Sequence, residues 1–309
     1  MSTLEFLTEY IIVAMRNRVM NKYLIIADES GKKQPAIHRG IELAKRSGAA
    51  VHVVAFVYDA YLDEQEDSQE KKMLQQAVID ARQKQIDAII NELSLEDLQL
   101  SSEVMWEKRL SAWVVEQVKA DRFSMIIKTG HRTETIIYTP SDWQIFRESP
   151  VPVMVVAEKK WRQKNSILCA IDLGSKNNQQ QALNRKIIRQ GKKLAECLNA
   201  ELFCCYAIPI PTVLVDLDLV DRKKIQRDRA QKAKAMFAKL ADEFELDKAS
   251  LFTKAGKAEK AIPSIANKLK TSMVVMGTVG RKGLKGKLMG NTAERVIHHL
   301  RTDLVAIKP

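Results

Sequence analysis

Met273-Val-Val-Met-Gly277-Thr-Val-Gly280-Arg-Lys-Gly283-Leu-Lys-Gly286-Lys-Leu-Met-Gly290-Asn291-Thr-Ala-Glu294 is the stretch that opens this chain to a reading of its fold. The apolar run Met273 to Met276 reads as a buried strand. Five glycines and the basic side chains Arg281, Lys282, Lys285 and Lys287 then make a loop. Asn291 reads as the N-cap of a helix, with Glu294 three residues on as its capping-box partner. The order is therefore strand, glycine-rich loop, helix N-terminus. Glycines let a backbone turn with positive φ and approach a ligand closely, and the free N–H groups of a first helical turn suit a phosphate. A basic loop before an ordinary capped helix fits the same residues.

Working outward, the pattern recurs. Tyr23-Leu-Ile-Ile-Ala-Asp28 is answered by Ile167-Leu-Cys-Ala-Ile-Asp172. Phe146-Arg-Glu-Ser-Pro-Val-Pro-Val-Met-Val-Val156 is answered by Ile297-His-His-Leu-Arg-Thr-Asp-Leu-Val-Ala-Ile307. The period is domain-sized, so this is a tandem duplication rather than a solenoid. In the first half, strands are expected at 21–27, 50–57, 100–108, 123–128 and 151–156. Helices are expected at 34–47, 62–93, 110–120 and 139–149. In the second, strands fall at 166–171, 200–207, 248–255, 272–276 and 303–308, with helices at 178–198, 218–244, 258–270 and 291–300. Alternating strands and helices imply a mostly parallel sheet covered on both faces, with ligands bound beyond the carboxyl ends of its strands. Asp172 and the Gly277 loop both lie at such ends and are therefore expected to share one crevice. Asp172 reads either as a contact to a nucleotide's sugar or base, or as the turn residue of Asp172-Leu-Gly174-Ser175.

The totals bound the rest. The chain has 309 residues, 46% hydrophobic and 28% charged, enough for two ordinary domains. Its formal net charge is +12, which favours anionic partners without specifying one. The run Arg222-Lys-Lys-Ile-Gln-Arg227-Asp-Arg229 reads either as a contact to nucleic acid or, as such runs more often are, a solvated face. Cys169, Cys197, Cys204 and Cys205 have no zinc or C-x-x-C spacing and read as buried thiols, with Cys204 and Cys205 on opposite faces of one strand. No run reaches transmembrane length. Residues 1–19 make a poor signal peptide, because Arg16 and Arg18 follow the apolar stretch rather than precede it. Met20 is the expected natural start, and 1–19 an upstream extension. No Ser/His/Asp order or metal spacing connects His38, His52, His298 and His299, so neither catalytic residues nor metal ligands are assigned.

The glycine spacing is neither G-x-x-x-x-G-K-[ST] nor G-x-G-x-x-G. Gly277, two residues, Gly280, nine residues and Gly290 resemble the ATP-binding signature of the universal stress proteins, which continues with Ser or Thr where this chain has Asn291. Further resemblance lies in Lys128-Thr-Gly-His-Arg-Thr-Glu134, Thr139-Pro140 and Asp142-Trp143 of the first half, and in Met276-Gly-Thr-Val-Gly-Arg281 and Gly290-Asn-Thr-Ala-Glu294 of the second. From Met20 on, the chain is similar to the tandem universal stress proteins of the bacterial E type.

The resemblance implies an α/β fold of two domains, each a five-stranded parallel sheet in the order 3-2-1-4-5 with helices on both faces. The domains would join as an intramolecular pseudo-dimer through strands 151–156 and 303–308. The boundaries are 20–157 for the first domain, 158–165 for a charged linker and 166–309 for the second domain. The resemblance also implies a cytoplasmic stress-response protein, with tolerance to DNA-damaging agents among its roles. A nucleotide site would comprise Asp172, Gly277, Gly280, Gly290, Asn291 and Thr292, taking ATP with Mg2+. Expected partners are a nucleotide or small ligand, and other universal stress proteins or a second copy. A membrane is not expected, and nucleic acid is the less favoured partner. A scaffold of the same fold that binds a protein or apolar ligand is the alternative, as is a basic nucleic-acid-associated protein. The sequence names no general base for ATP turnover.

The halves differ at the site. Gly290 and Asn291 correspond to Thr139 and Pro140, a residue with a Cβ and one without an N–H. The first half is therefore expected to fold alike and bind phosphate poorly, with His131 and Arg132 in a surface loop.

Overall fold

The computed structural model describes residues 21–29, 31, 33–93, 95, 97–120, 123–130, 140–157, 165–211, 221–278 and 290–309. The expected extension at 1–19, most of the charged linker, and His131 and Arg132 lie outside these residues.

The first half runs β1 (Lys22–Ile26), α1 (Pro35–Ser47), β2 (Ala50–Val57), α2 (Ala60–Glu64), α3 (Gln69–Asn91), β3 (Leu100–Trp106), α4 (Leu110–Ala120), β4 (Phe123–Thr129), α5 (Pro140–Glu148) and β5 (Val153–Val156). The second runs β6 (Ser166–Ala170), α6 (Asn178–Leu198), β7 (Glu201–Ile208), α7 (Arg222–Phe244), a 3-10 turn (Lys248–Ser250), β8 (Leu251–Ala255), α8 (Ala258–Leu269), β9 (Met273–Gly277), α9 (Asn291–His299) and β10 (Asp303–Ile307). The single helix expected over 62–93 is two. Asp59 caps α2 by accepting from Leu62 N, and Ser68 caps α3 by accepting from Lys71 N. The break lies between them, where Gln65 and Ser68 are both extended, a backbone that a continuous helix cannot contain. Likewise α7 starts later than expected, behind the Asp221 cap.

The strands form one ten-stranded sheet in the order β3-β2-β1-β4-β5-β10-β9-β6-β7-β8, so each half has the expected 3-2-1-4-5 order. Pairing is parallel within a half. It is antiparallel across the join, where Leu304, Val305 and Ala306 face Val155, Met154 and Val153. The two halves therefore point their strand carboxyl ends in opposite directions. One sheet face buries α1, α3, α6 and α7. The other buries α4, α5, α8 and α9. Cys204 packs into the first face and Cys205 into the second, as strand alternation requires.

The duplication extends to local geometry. Gly40 of α1 lies so close to Ile25 of β1 that a Cβ would overlap it, and Gly191 of α6 stands in the same relation to Cys169 of β6. Each half thus seats its first helix unusually close to its first strand. The α1 helix ends on Gly48 at φ 66°, and α6 ends on Asn199 at φ 48°, the two residue types that best tolerate a left-handed C-cap.

A buried ion pair closes the join. Arg39 Nε of α1 lies 3.1 Å from Asp303 Oδ2 of β10, and the Asp303 side chain is fully buried. Asp303 Oδ1 accepts a 2.8 Å hydrogen bond from Ala157 N at the end of β5. Burial lowers the Arg39 pKa from its ordinary value, against the opposing pull of Asp303 and Glu42. On the other face, the Trp143 and His298 rings lie 5.7 Å apart and link α5 to α9. Asp303→Ala leaves a buried guanidinium and a buried amide short of a partner. It is expected to cost about 3–5 kcal/mol in urea unfolding. An unchanged midpoint would show that the pair does not hold the halves together.

Candidate functional site

β6 and β9 are direct neighbours, with Ala170 opposite Met276, so the segments that follow them emerge side by side. Asp172 is the second residue beyond β6. Its backbone is clamped by the Asn184 amide of α6: Asn184 Oδ1 accepts from Asp172 N at 3.0 Å, and Asn184 Nδ2 donates to Asp172 O at 2.8 Å. Asp172 Oδ1 accepts from Gly174 N at 3.0 Å. The aspartate is thus a turn residue, half-buried at the sheet end.

The loop after β9 is tied at both ends. Thr278 N donates to Ile307 O at 2.9 Å, and Gly290 N donates to Thr278 O at 2.9 Å. This places the N-terminus of α9 at the strand end that also carries Asp172. The cap differs from the sequence expectation. Gly290, at φ −72° and ψ 133°, is the N-cap, Asn291 is the first helical residue, and no side chain caps the helix. Asn291 lies one residue inside the helix, past the N-cap position from which capping is made. The expected capping box of Asn291 and Glu294 is therefore not formed, and the first-turn N–H groups have no intrahelical acceptor.

The expected reason for the glycines also changes. Neither Gly277 nor Gly290 has positive φ. A Cβ on Gly277 would lie 2.6 Å from Leu183 Cδ2, so this glycine lets α6 pack over the end of β9. Thr292 is exposed on the first turn of α9. Gly280 and the four basic loop residues fall outside the described residues. Of the expected site, the structure brings together Asp172, Gly277, Gly290, Asn291 and Thr292.

The corresponding end of the first half is filled by the chain's own charges. Gln34 clamps Asp28 as Asn184 clamps Asp172, with Asp28 N donating to Gln34 Oε1 at 2.7 Å. Arg82 of α3, itself buried, donates to Asp28 O. Lys128 of β4 pairs with Asp142 in the first turn of α5, and both side chains are largely buried. Desolvation lowers the Lys128 pKa to about 8, with Asp28 and Glu29 opposing the shift. Thr129 Oγ1 accepts from Ala36 N at 3.1 Å, in the strand position that Gly277 holds in the second half. The register equates Lys128 with Met276, and the third helical residue Asp142 with Ala293. A buried ion pair in one half is therefore an apolar pair in the other. Sequence reasoning missed this network. The signal was a lysine ending an otherwise apolar strand and an aspartate in a first helical turn that the halves do not share.

A second unforeseen group joins the edge strand β3 to its neighbour β2. Ser101 Oγ and His52 Nδ1 are 2.8 Å apart, and His52 Nε2 lies 2.9 Å from Glu103 Oε1. These side chains span neighbouring rungs of β2 and β3 and fix the register of the edge strand. The thiols of Cys169, Cys204 and Cys205 are fully buried. A hydrogen bond with Cys204, followed by burial, raises the Cys169 pKa well above its ordinary value, and burial raises that of Cys205. Among the described residues, no helix is long and apolar enough to cross a membrane, and no cluster of three or more His, Cys, Asp or Glu could hold a metal.

Comparison with known proteins gives a consistent assignment. The universal stress protein family profile matches residues 20–157 and again 165–308. The chain is 31% identical over 295 residues to universal stress protein E of Salmonella typhi, and 30% identical to that of Escherichia coli strain K12, with 93% of each chain covered. Among solved structures, a functionally unknown protein from Pseudomonas aeruginosa PAO1 superposes with TM-score 0.68 at 22% identity over 94% of both chains. A universal stress protein from Archaeoglobus fulgidus superposes with TM-score 0.59 at 14% identity, over 94% of this chain and 99% of the other.

The buried pair in the first half makes two predictions. Asp142→Ala strands Lys128 and is expected to destabilise by about 3–5 kcal/mol, while Lys128→Met with Asp142→Ala restores stability to the wild-type level or above. A folded-state pKa below the unfolded value means that the unfolded chain binds more protons between the two. Wild-type stability should therefore rise, relative to the double variant, as pH climbs from about 8 towards the ordinary lysine value of 10.5. Urea midpoints across that window test the sign. A flat difference would remove the network.

Proposed function

We propose, on the premise that the chain belongs to the universal stress protein family and has two tandem domains, that it serves stress tolerance as a non-catalytic protein with one nucleotide site, in the second half. The stress-response role is the family's. ATP binding, a part in tolerance to DNA-damaging agents and a cytoplasmic location are our reading. The observation that carries the site is the asymmetry between equivalent helix starts. The first turn of α5 holds Asp142, whose carboxylate already pairs with Lys128. The first turn of α9 has no side-chain cap and has Ala293 at the corresponding place. A phosphate thus meets an internal anion in one half and open N–H groups in the other.

In this reading Asn291 and Thr292 offer N–H groups to phosphate and Thr292 adds a hydroxyl, while Gly290, whose own N–H is held by Thr278 O, lets the phosphate approach the helix start without a Cβ in the way. Gly277 holds α6 against the strand end. Gly280 belongs to the loop between them. Asp172, held by Asn184 and Gly174, faces the sugar or base. One carboxylate does not make a magnesium cage, so Mg2+ would be held mainly by phosphate oxygens and water, which suits that ion. No residue is assigned as a general base, and the expected ATP turnover is no higher than background.

Equilibrium dialysis or calorimetry with ATP and Mg2+ tests the reading. Gly290→Val puts a branched Cβ at the cap and is expected to weaken ATP by at least about tenfold, or 1.4 kcal/mol. Asp172→Ala should weaken ATP more than free triphosphate. Wild type without measurable affinity would refute the nucleotide site and favour the same-fold scaffold, whose ligand is a protein or apolar molecule.

A further inference from the structure

We propose that the outer face of α7 is a docking surface for the phosphate backbone of double-stranded nucleic acid. The helix is about 34 Å long at 1.5 Å per residue. Lys223, Lys224, Arg227, Lys232, Lys234 and Lys239 are all exposed on it. None of the six has an ion-pair partner among the described residues. At 100° per residue, Lys223, Arg227 and Lys234 fall within a narrow stripe along one flank.

Three further observations separate this face from an ordinary solvated one. The first turn of α7 contains no acid and the basic residues crowd the N-terminal half, where the helix dipole disfavours cations. The acids at its other end are engaged off the helix. Asp242 pairs with Lys248 at 2.8 Å, and Glu243 with Arg185 at 2.8 Å. The cap residue Asp221 feels the charges of Arg227 and Lys223 and already accepts from Lys223 N and Lys224 N, and the one further acid of the N-terminal half, Asp228, lies about 100–140° around the helix from the three stripe residues. Finally, α3, the equivalent helix in the first half, begins with Glu70 and mixes both signs of charge along its length. The fold therefore does not require cations here, and their placement runs against the dipole.

The chemistry selects the partner. A membrane-surface helix inserts bulky apolar side chains between its cations. On α7 the exposed large apolar residue is Met236, which lies on the opposite side from the Lys223–Arg227–Lys234 stripe. Phe237 is buried and Phe244 lies under Arg189, so no ring is displayed for stacking on single-strand bases. What remains is a row of point charges suited to a duplex backbone, read without sequence preference.

Fluorescence anisotropy of a random-sequence 30-base-pair duplex, titrated with the full chain over a series of KCl concentrations, tests this. Lys223→Gln, Arg227→Gln and Lys234→Gln together are expected to weaken binding at least about tenfold at low salt. They should also reduce the slope of log K against log salt by about 2–3, at about 0.9 for each phosphate no longer neutralised. Lys45→Gln, Lys72→Gln and Lys84→Gln remove the same charge from exposed positions of the first half and should leave most of the slope in place. All substitutions are at exposed helical sites, and far-ultraviolet circular dichroism checks that both variants fold. Equal weakening by the two triple variants would overturn the proposal in favour of net charge alone. So would the absence of salt-dependent duplex binding by wild type, or an α7-dependent affinity for phosphatidylserine vesicles exceeding that for the duplex.

Discussion

The antiparallel pairing of β5 with β10 is the constraint on which the molecule depends. Each half ends on a short apolar strand that would be an open sheet edge by itself. Among the described residues, joining the two edges makes one sheet of ten strands with β3 and β8 at its margins. The join is secured where water is excluded: Asp303 takes a hydrogen bond from Ala157 N and faces Arg39, while Trp143 and His298 meet on the other face. The ion pair has no mirror image, since the residue corresponding to Asp303 in the first half is Pro152. One fold repeated twice is thus held by a contact that is made once.

The same asymmetry governs the two crevices. Both halves put an aspartate after their first strand and clamp it with a side-chain amide, Gln34 in one and Asn184 in the other. Beyond that point they diverge. The first half fills its crevice with Arg82, Lys128 and Asp142. The second places Met276 and Ala293 in the core and leaves the helix start to its backbone. Because the join is antiparallel, the two crevices lie at opposite ends of the sheet. A ligand at one does not touch the residues of the other.

The fold was legible because its signals are strong and local: apolar strands ended by aspartate, helices stopped by Gly48 or Asn199, and the whole pattern repeated. The strand order and the pairing of the last strands came from resemblance, since periodicity does not say which strands are neighbours. Caps were the least legible. Asn291 and Ser68 are both good N-cap types, yet Ser68 caps α3 and Asn291 does not cap α9. The difference lies in where the chain leaves the preceding segment, and Gly290 held to Thr278 O decides that at α9. Gly277 misled for a related reason. A glycine beside a strand end suggests a close ligand, and the close neighbour is Leu183. The ion pairs of Lys128 with Asp142 and of Arg39 with Asp303 join residues distant in sequence, so only the assembled sheet shows them.

The shared edge also sets an order of events during synthesis. β5 is complete at Val156, but its partner begins only at Asp303. At roughly 5–20 residues per second, the first half waits about 7 to 30 seconds with Val153-Met-Val-Val156 unpaired. On a crowded ribosome such an edge invites the neighbouring nascent chain. The residues around it carry the usual protection: Pro150 and Pro152 interrupt pairing on one side, and Glu158-Lys-Lys-Trp-Arg-Gln-Lys164 places charge on the other. Fusing the two halves in one chain ends the wait with a partner tethered at high local concentration, where separate subunits would have to meet by diffusion.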